Sequence, residues 1–383
     1  MTVMLQGLTW DHPRAWEGLE AETRRLHAAR PDIRLTWDRH SLRGFETRPI
    51  IETAEAYDLI ILDHPFMGDA VASGCLLDLS RLDGLDGLLR DDLYIGPSMP
   101  SYRMGGGAWA MPIDAACQVA ARAPDRIDIP PATLAEVAAL AGRRPIALAM
   151  ACPHAFMNFL SIAGMTGADI AGGPEALLPR DTALAALETL RELAALADPA
   201  SARWSSIDAL DALARTDGPD YCPMVFAFNS YARGSAGTRR LRFGPLPLAG
   251  DGGPVAGGTG LALSARLAGR PAELAAALDV AGHFAGAGAQ TAMACDGGQP
   301  ARVEAWDDPA ADAANGGFLS DCRASMARAR LRPRHAGYMA LQNGAGDLLL
   351  DAAFDRSRPA GAVIDAIDAL YRRTRAAGSV YGR

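Results

Sequence analysis

The first third of the chain alternates short apolar strands with helices, and this order constrains the fold more than any other feature. The predicted strands are residues 3–8, 33–37 and 57–62. A helix from Pro13 to about Ala29 fits between the first two strands, because proline suits a first helical turn. A second helix is predicted from Ser41, a good N-cap, to about Ala54. Repeats of this kind form a parallel sheet that is covered by helices.

The rest of the chain continues the α/β pattern. An alanine-rich helix is predicted after Pro131, and a strand at 146–150 precedes another helix. The later predicted helices lie near 271–288, 318–330 and 335–378. A chain of 383 residues, of which 49% are hydrophobic, is long enough to form two domains with substantial cores.

The charged residues exclude several classes of function. The formal net charge is −8 with no basic cluster, so nucleic acid is not an expected partner. All 37 basic residues are arginines, which excludes a phosphate-loop lysine, a Schiff-base lysine and a lysine general base. We also find no zinc-protease, nucleophile-elbow or EF-hand motif, and we assign no catalytic residue, metal ligand or cofactor.

The distribution of apolar residues bears on location. No segment approaches 18 uninterrupted apolar residues, so no membrane span is predicted. The N-terminus lacks a basic segment, a long apolar run and a small-residue cleavage site, so the sequence as it stands predicts a cytoplasmic protein. If a leader has been removed, the prediction changes to the periplasm.

Several segments, taken in order along residues 3–305, resemble landmarks of the extracellular solute-binding protein family 1. This family comprises the binding subunits of sugar-type ABC importers. Tyr-Asp-Leu-Ile-Ile-Leu-Asp at 57–63 is similar to the strand before the cleft loop, and Trp-Ala-Met-Pro-Ile-Asp at 109–114 is similar to a crossing strand. The other similar segments are Gly-Cys-Leu-Leu-Asp-Leu at 74–79, Thr-Leu-Ala-Glu-Val at 133–137, Phe-Gly-Pro-Leu-Pro at 243–247, Gly-Gly-Thr-Gly-Leu-Ala-Leu-Ser at 257–264, and Gly-Gly-Gln-Pro-Ala at 297–301.

The resemblance implies a two-lobed α/β fold of the type II periplasmic-binding-protein kind, with a ligand cleft between lobes that close by hinge motion. Residues 1–114 with about 260–310 would form lobe one. Residues 115–259 with part of 311–383 would form lobe two, and the C-terminal helices would pack across both lobes. The expected partner is a small-molecule ligand, with an ABC permease as a second partner if the protein is exported. We expect a monomer.

Lobe one supplies the first candidate ligand contacts. Asp11 and His12 follow the first strand, and Asp63 and His64 follow the third. In an open parallel sheet, ligands bind beyond the carboxyl ends of strands. The alternative for each pair is a helix N-cap aspartate with a loop histidine. Trp10 and Trp109 are candidates for stacking or for core packing, and Asp114 is a candidate hydrogen-bond acceptor or a cap at the end of the crossing strand.

Lobe two supplies the second set. His154 and Asn158 open a helix after the strand at 146–150, with Cys152 expected as a buried thiol beside a ligand-facing His154. Asn229 and Tyr231 lie in the segment Phe-Ala-Phe-Asn-Ser-Tyr at 226–231 and suit a neutral polar ligand. The remaining candidates are Gly258 for close backbone approach, Gln299, and Arg302 as an anion clamp or a surface arginine.

Together these residues predict a protein that binds a neutral or weakly charged polar organic molecule. The ligand would bridge Trp10, His12, His64 and Asp114 on one side, and His154, Asn229 and Tyr231 on the other. Two alternatives remain at this point. One is an enzyme on the same fold, suggested by the two Asp-His pairs and by Cys152 with His154. The other is a structural partner module, which would bind nothing between its lobes and would expose a large apolar face.

Overall fold

The structure is a computed structural model, and it describes residues 2–41, 44 and 48–378. Its central feature is a seven-stranded mixed sheet with the order β2-β1-β3-β9-β6-β7, to which β8 is added beside β6. A separate hairpin joins β4 to β5. The strands are β1 (Val3–Trp10), β2 (Ile33–His40), β3 (Leu59–Asp63), β4 (Arg103–Met104), β5 (Gly107–Ala108), β6 (Met111–Arg122), β7 (Tyr221–Phe226), β8 (Arg242–Gly244) and β9 (Ala256–Leu263).

Helices cover the sheet and form the C-terminal part of the chain. They are α1 (Pro13–Ala29), α2 (Ile50–Ala56), α3 (Met67–Ser73), α4 (Leu134–Ala141), α5 (His154–Met165), α6 (Arg180–Leu196), α7 (Ser206–Ala214), α8 (Asn229–Arg233), α9 (Pro271–Ala285), α10 (Ala287–Cys295), α11 (Val303–Trp306), α12 (Pro309–Ala314), α13 (Phe318–Ala327), α14 (Tyr338–Phe354) and α15 (Ala360–Gly378). Along the described part of the chain, none of them is both long and apolar enough to cross a bilayer.

The first three strands and their parallel pairing agree with the sequence prediction. β1 pairs in parallel with β2 and with β3. The helix predicted from Pro13 spans Pro13–Ala29. The helix predicted over 41–54 lies partly outside the described residues, and the described helix is Ile50–Ala56. Strand–helix alternation therefore identified this half of the sheet correctly.

The predicted strand at 146–150 is wrong as a regular strand. Ile146 makes one parallel bridge to Tyr221, but the segment makes no continuous ladder. The N–H of Leu148 donates instead to Ser201 Oγ at 3.1 Å, and the N–H of Met150 donates to the carbonyl of Trp204 at 3.0 Å. A loop therefore supplies the partners that a neighbouring strand would supply.

Strand β6 links the two parts of the sheet. Its residues from Met111 to Cys117 pair with β9, whereas those from Gln118 to Arg122 pair with β7 and β8. We expected the crossing strand to end at Asp114, and this prediction is wrong, because β6 continues to Arg122. The residues after Asp114 are mostly small and apolar and lie buried within the sheet, so the strand continues past this position.

The hydrophobic core forms around both parts of the sheet. One large cluster joins β1, α1, β6 and α9, with Leu26 and Phe284 among its fully buried side chains. A second cluster packs α5 and α6 against α14 and α15, and Phe156 and Leu349 lie at its centre. The lobe boundaries given above stay a prediction.

The segment between α13 and α14 crosses the start of α3. Gly68 of α3 lies so close to this segment that a Cβ atom would sit 2.2 Å from the Arg334 carbonyl oxygen. Asp69 Oδ1 accepts a hydrogen bond from the Gly337 N–H at 2.8 Å. Arg334 donates through Nη1 to the carbonyls of Pro100 and Ser101 at 2.7 and 2.6 Å. The C-terminal part is thus tied to residues near β3.

Candidate functional site

A cleft opens beyond the carboxyl ends of β1, β3 and β7. The middle of β6 and of β9 forms part of its wall, and α5, α7 and α14 supply the opposite side. Its aromatic lining residues are Trp10, Phe66, Phe226 and Phe228. Its polar lining residues are Arg14, Asp63, His154, Ser205, Ser206, Thr259, Arg332 and Gln342. Strand ends that converge on one concave space are the usual place for a ligand in an α/β protein.

The aromatic wall is packed by its own rings. Trp10 stacks on His12 with ring centroids 5.3 Å apart, and Phe228 meets the His12 ring edge-on at 4.9 Å. Trp10 and Phe228 are therefore almost fully buried, whereas Phe226 stays partly exposed at the end of β7. Phe226 is the ring of this wall that has surface left for a ligand to stack on.

An ion pair between Asp63 and Arg332 forms one end of the polar lining. Arg332 Nη2 donates to both carboxylate oxygens of Asp63, at 2.8 and 2.7 Å. Its Nε donates to the Ala256 carbonyl at 3.2 Å, and its Nη1 donates to Gln342 Oε1 at 3.2 Å. Burial by itself raises the pKa of Asp63, but the charge of Arg332 and the hydrogen bonds from His64 and Arg332 outweigh it and lower that pKa to about 2.

A second ion pair joins Arg14, at the start of α1, to Asp114 in β6. Arg14 Nε donates to Asp114 Oδ2 at 2.7 Å, Nη2 donates to Oδ1, and Nη1 donates to the Ala227 carbonyl at 3.0 Å. The guanidinium carbon lies 4.8 Å from the centroid of the Phe228 ring. Burial raises the pKa of the Asp114 carboxyl above its ordinary value, although Arg14 opposes the shift.

The two carboxylates lie on either side of Thr259 in the sheet. Thr259 of β9 is opposite Asp63 of β3 and also opposite Asp114 of β6. Two like charges so placed repel each other, and the charge of Asp63 contributes to the raised pKa of Asp114. Arg14 and Arg332, which come from opposite ends of the chain, neutralise this pair of charges.

Glycine at position 258 allows β9 to approach β6 closely beside the cleft. Its φ of +105° belongs to backbone that favours glycine, and a Cβ atom would lie 2.4 Å from the Asp114 carbonyl oxygen. Gly258 lines the cleft, and Tyr102 donates from its hydroxyl to the Gly258 carbonyl at 3.3 Å. The predicted close approach of backbone at this position is therefore present.

His154 lines the cleft, with both ring nitrogens directed at Ser206. His154 Nδ1 lies 3.2 Å from Ser206 Oγ, and Nε2 accepts from the Ser206 N–H at 3.3 Å. Burial lowers the pKa of His154 to about 4, so the ring is neutral at neutral pH. The prediction that Cys152 is buried is wrong: it is exposed, and its thiol donates to the Asn343 carbonyl at 3.3 Å.

The other candidates of the first lobe lie outside the lining. His12, and not Asp11, caps α1, because His12 Nδ1 accepts from the Arg14 N–H at 3.2 Å. Asp11 is exposed, with an oxygen 3.9 Å from an Arg39 nitrogen. His64 is buried, with Nδ1 3.1 Å from Asp63 Oδ1. Trp109 donates from Nε1 to the Met104 carbonyl at 2.9 Å.

The remaining candidates of the second set make internal hydrogen bonds. Asn158 Nδ2 donates to the Ala149 carbonyl at 2.7 Å. Asn229 Nδ2 donates to Asn315 Oδ1 at 2.6 Å, and to the carbonyls of Gly297 and Gly298. Both asparagine side chains are fully buried, and neither lines the cleft.

Three further candidates also lie away from the lining. Tyr231 donates from its hydroxyl to Asp211 Oδ1 at 2.7 Å. Gln299 donates to the Ala115 carbonyl at 2.7 Å, and Arg302 pairs with Glu304 at 2.6 Å. Of the fourteen residues named from sequence, the structure thus brings Trp10, Asp63, His154 and Gly258 together in one cleft. A role in ligand binding stays a prediction for all fourteen.

Sequence reasoning missed the arginines and the phenylalanines of the lining. Phe226 and Phe228 lie in the segment that was singled out, but the alternation of exposed and buried positions there could not be read from six residues. The sequence contained a pattern that could have identified Arg14 as a site residue, because Arg14 follows the Asp-His pair after β1. Arg332 had no such pattern, because it lies between two helices and beyond the segments that resemble the family.

Among the described residues, no group of three or more histidine, cysteine, aspartate or glutamate side chains is arranged to hold a metal ion. The sequence matches no protein-family model and no curated protein. Solved structures do match. The maltose-bound MalE3 of T. maritima superposes with a TM-score of 0.81 at 18% identity, over 97% of this chain and 100% of that chain.

Two other solved structures are similar to the same extent. An ABC transporter solute-binding protein of Agrobacterium radiobacter K84 in complex with ribitol gives a TM-score of 0.78 at 16% identity, over 97% and 98% of the two chains. The cyclic alpha-maltosyl-1,6-maltose binding protein of Arthrobacter globiformis gives 0.75 at 16% identity, over 98% and 99%. The chain therefore has the two-lobed α/β fold of the maltose-binding-protein-like periplasmic binding proteins, as predicted from its sequence.

Proposed function

We propose that the protein binds a small polar organic molecule in its cleft, as a solute-binding protein of the ABC-transporter type or as a relative of one. The observation that carries the proposal is the lining itself: a partly exposed aromatic ring, Phe226, shares one concave space with polar groups from the end of β3 and from several helices. The solved structures with bound maltose and ribitol support a polyol or a mono- to disaccharide as the kind of ligand.

Binding is favoured over catalysis by what the candidate reactive groups contact. Both ring nitrogens of His154 face Ser206, and the thiol of Cys152 donates to a carbonyl, so the pair does not form a nucleophile with its base. His64 directs Nδ1 at Asp63, and that carboxylate is already engaged by Arg332. If the protein is exported, an ABC permease is the partner that we propose for the closed, ligand-bound form.

The first experiment combines binding with recovery of the ligand. Ribitol, maltose and a panel of neutral monosaccharides are tested by thermal denaturation and calorimetric titration to identify a probe that binds. Chromatography after prolonged incubation then measures whether that probe is recovered unchanged. The proposal expects saturable one-to-one binding and complete recovery. Recovery of a chemically changed probe would indicate that the protein is an enzyme and not only a binding protein. No response to any member of the panel, and no small molecule retained in native mass spectra of gently purified protein, would contradict the proposal.

A further inference from the structure

Each guanidinium nitrogen of the two cleft arginines already donates to an acceptor of the protein. Arg332 donates to Asp63, to the Ala256 carbonyl and to Gln342. Arg14 donates to both oxygens of Asp114 and to the Ala227 carbonyl. A carboxylate or phosphate of a ligand would therefore have to compete with these acceptors for the guanidinium groups.

The charge of the lining is balanced as well. Asp63 offsets Arg332, and Asp114, which itself lies outside the lining, offsets Arg14. His154 adds no positive charge at neutral pH because burial lowers its pKa to about 4. The Asp63 side chain keeps 23% of its surface exposed, whereas that of Arg332 keeps 5%. A ligand at this end of the cleft therefore meets the carboxylate more readily than the cation.

We propose that Asp63 and Asp114 are specificity-determining residues that reserve the two arginines and thereby exclude anionic ligands, such as sugar acids, from the cleft. The inference rests on the proposed function and names the ligand class more narrowly as molecules without a net negative charge. An anionic group beside Asp63 would be repelled by that carboxylate and would meet Arg332 already engaged by Asp63, Ala256 and Gln342. Replacing either aspartate with asparagine would free one arginine and turn exclusion into attraction.

The test uses two six-carbon probes, sorbitol and gluconate, which differ at one end, where sorbitol has a hydroxyl group and gluconate has a carboxylate. Sodium chloride at equal ionic strength is the control for gluconate. The wild type is expected to give no gluconate response. Asp63→Asn is expected to bind gluconate with a Kd at least about tenfold below the highest gluconate concentration at which the wild type gives no response, since a hydrogen bond to a charged group gains about that factor. Asp279→Asn is the matched control, because Asp279 pairs with Arg30 at the exposed surface.

Two further variants keep the test decisive. Asp114→Asn, which frees Arg14 instead, provides the same measurement if Asp63→Asn does not fold. Adding Arg332→Met to Asp63→Asn is expected to abolish the gained gluconate binding. Gluconate binding by the wild type, or folded single variants that ignore gluconate, would overturn the inference. Failure of the wild type to bind sorbitol or any neutral probe counts against the proposed function alone, because the gluconate comparison does not depend on it.

Discussion

Arg332 donates through one nitrogen to both carboxylate oxygens of Asp63, although 269 positions of sequence separate the two residues. This contact joins the segment before α14 to the end of β3 at the wall of the cleft. Because Arg332 also binds the Ala256 carbonyl of β9 and Gln342 of α14, one side chain connects three elements that line the proposed ligand site. The stability of this wall and the charge of the site therefore depend on the same pair.

Removing Arg332 is expected to destabilise the protein strongly. Arg332→Met leaves the Asp63 carboxylate without its counter-ion, and we expect a loss of about 2–4 kcal/mol in the free energy of unfolding. The double variant Asp63→Asn with Arg332→Met removes both charges and is expected to recover at least half of that loss. Urea denaturation of the wild type, both single variants and the double variant measures the coupling. Equal stability of Arg332→Met and the wild type would contradict the importance of the pair.

The stability of the protein is expected to rise between pH 4 and pH 6.5 and to level off above. Burial lowers the pKa of His12, His64, His154 and His335 to about 4 in the folded protein. As pH falls from 6.5 to 4, the unfolded chain takes up protons at these positions while the folded one does not, so unfolding is favoured. Each histidine contributes a slope of at most about 1.4 kcal/mol per pH unit.

Asp63 also makes stability depend on pH, but the cause is its favoured charged form and the effect falls in a lower pH range than that of the histidines. The folded pKa of Asp63 is lowered to about 2, so its stabilisation is complete above the unfolded value near 4 and is lost as pH falls through 2. Unfolding free energies measured from about pH 2 to pH 8 separate the two effects. His154→Gln is expected to reduce the slope between pH 4 and 6.5, and a pH-independent stability over this interval would refute the burial of neutral histidines.

Gly68 is expected to tolerate no side chain. An added Cβ would lie 2.2 Å from the Arg334 carbonyl oxygen and 2.3 Å from backbone atoms of His335 and Ala336. Gly68→Ala should therefore cost about 1–3 kcal/mol of stability, as overpacking does in a core. Gly87→Ala is the control, since a Cβ at Gly87 meets nothing within 4 Å. Thermal denaturation of the two variants should show a marked drop for the first and little change for the second.

Phe226 is expected to contribute to affinity through stacking. Its ring is partly exposed in the cleft, and the guanidinium carbon of Arg332 lies 5.8 Å from its centroid. Phe226→Ala should weaken the binding of a responding probe by about tenfold, with unchanged stoichiometry. Trp109→Phe, which lies outside the lining, should leave the affinity unchanged. Comparable affinities of Phe226→Ala and wild type in calorimetric titration would show that the ligand does not use this ring.

The sequence predicted the fold better than the site. Strand–helix alternation predicted the parallel part of the sheet, because periodicity and turn residues are local properties of the chain. The two lobes were implied by the resemblance of ordered segments to a family of solute-binding proteins. Trp10, Asp63, His154 and Gly258 were found because each lies at a strand end, a helix start or a tight backbone approach.

The remaining site residues depend on contacts that no local pattern encodes. Asn229 and Tyr231 suit a neutral ligand by chemistry, yet Asn315 and Asp211, some 86 and 20 positions away, take their hydrogen bonds. Arg14 and Arg332 become site residues only because the sheet places Asp63 and Asp114 on either side of Thr259. Contacts between residues that are far apart in sequence therefore decide which candidate residues line the cleft and which do not.

The central claim is tested most directly by a crystal structure of the protein with the neutral probe that raises its melting temperature most. We expect one molecule in the cleft, with an apolar face against Phe226. Its hydroxyl groups should lie within hydrogen-bond distance of the Asp63 carboxylate or of the His154–Ser206 pair. A probe bound elsewhere on the surface, or a cleft filled by protein side chains in the complex, would contradict it.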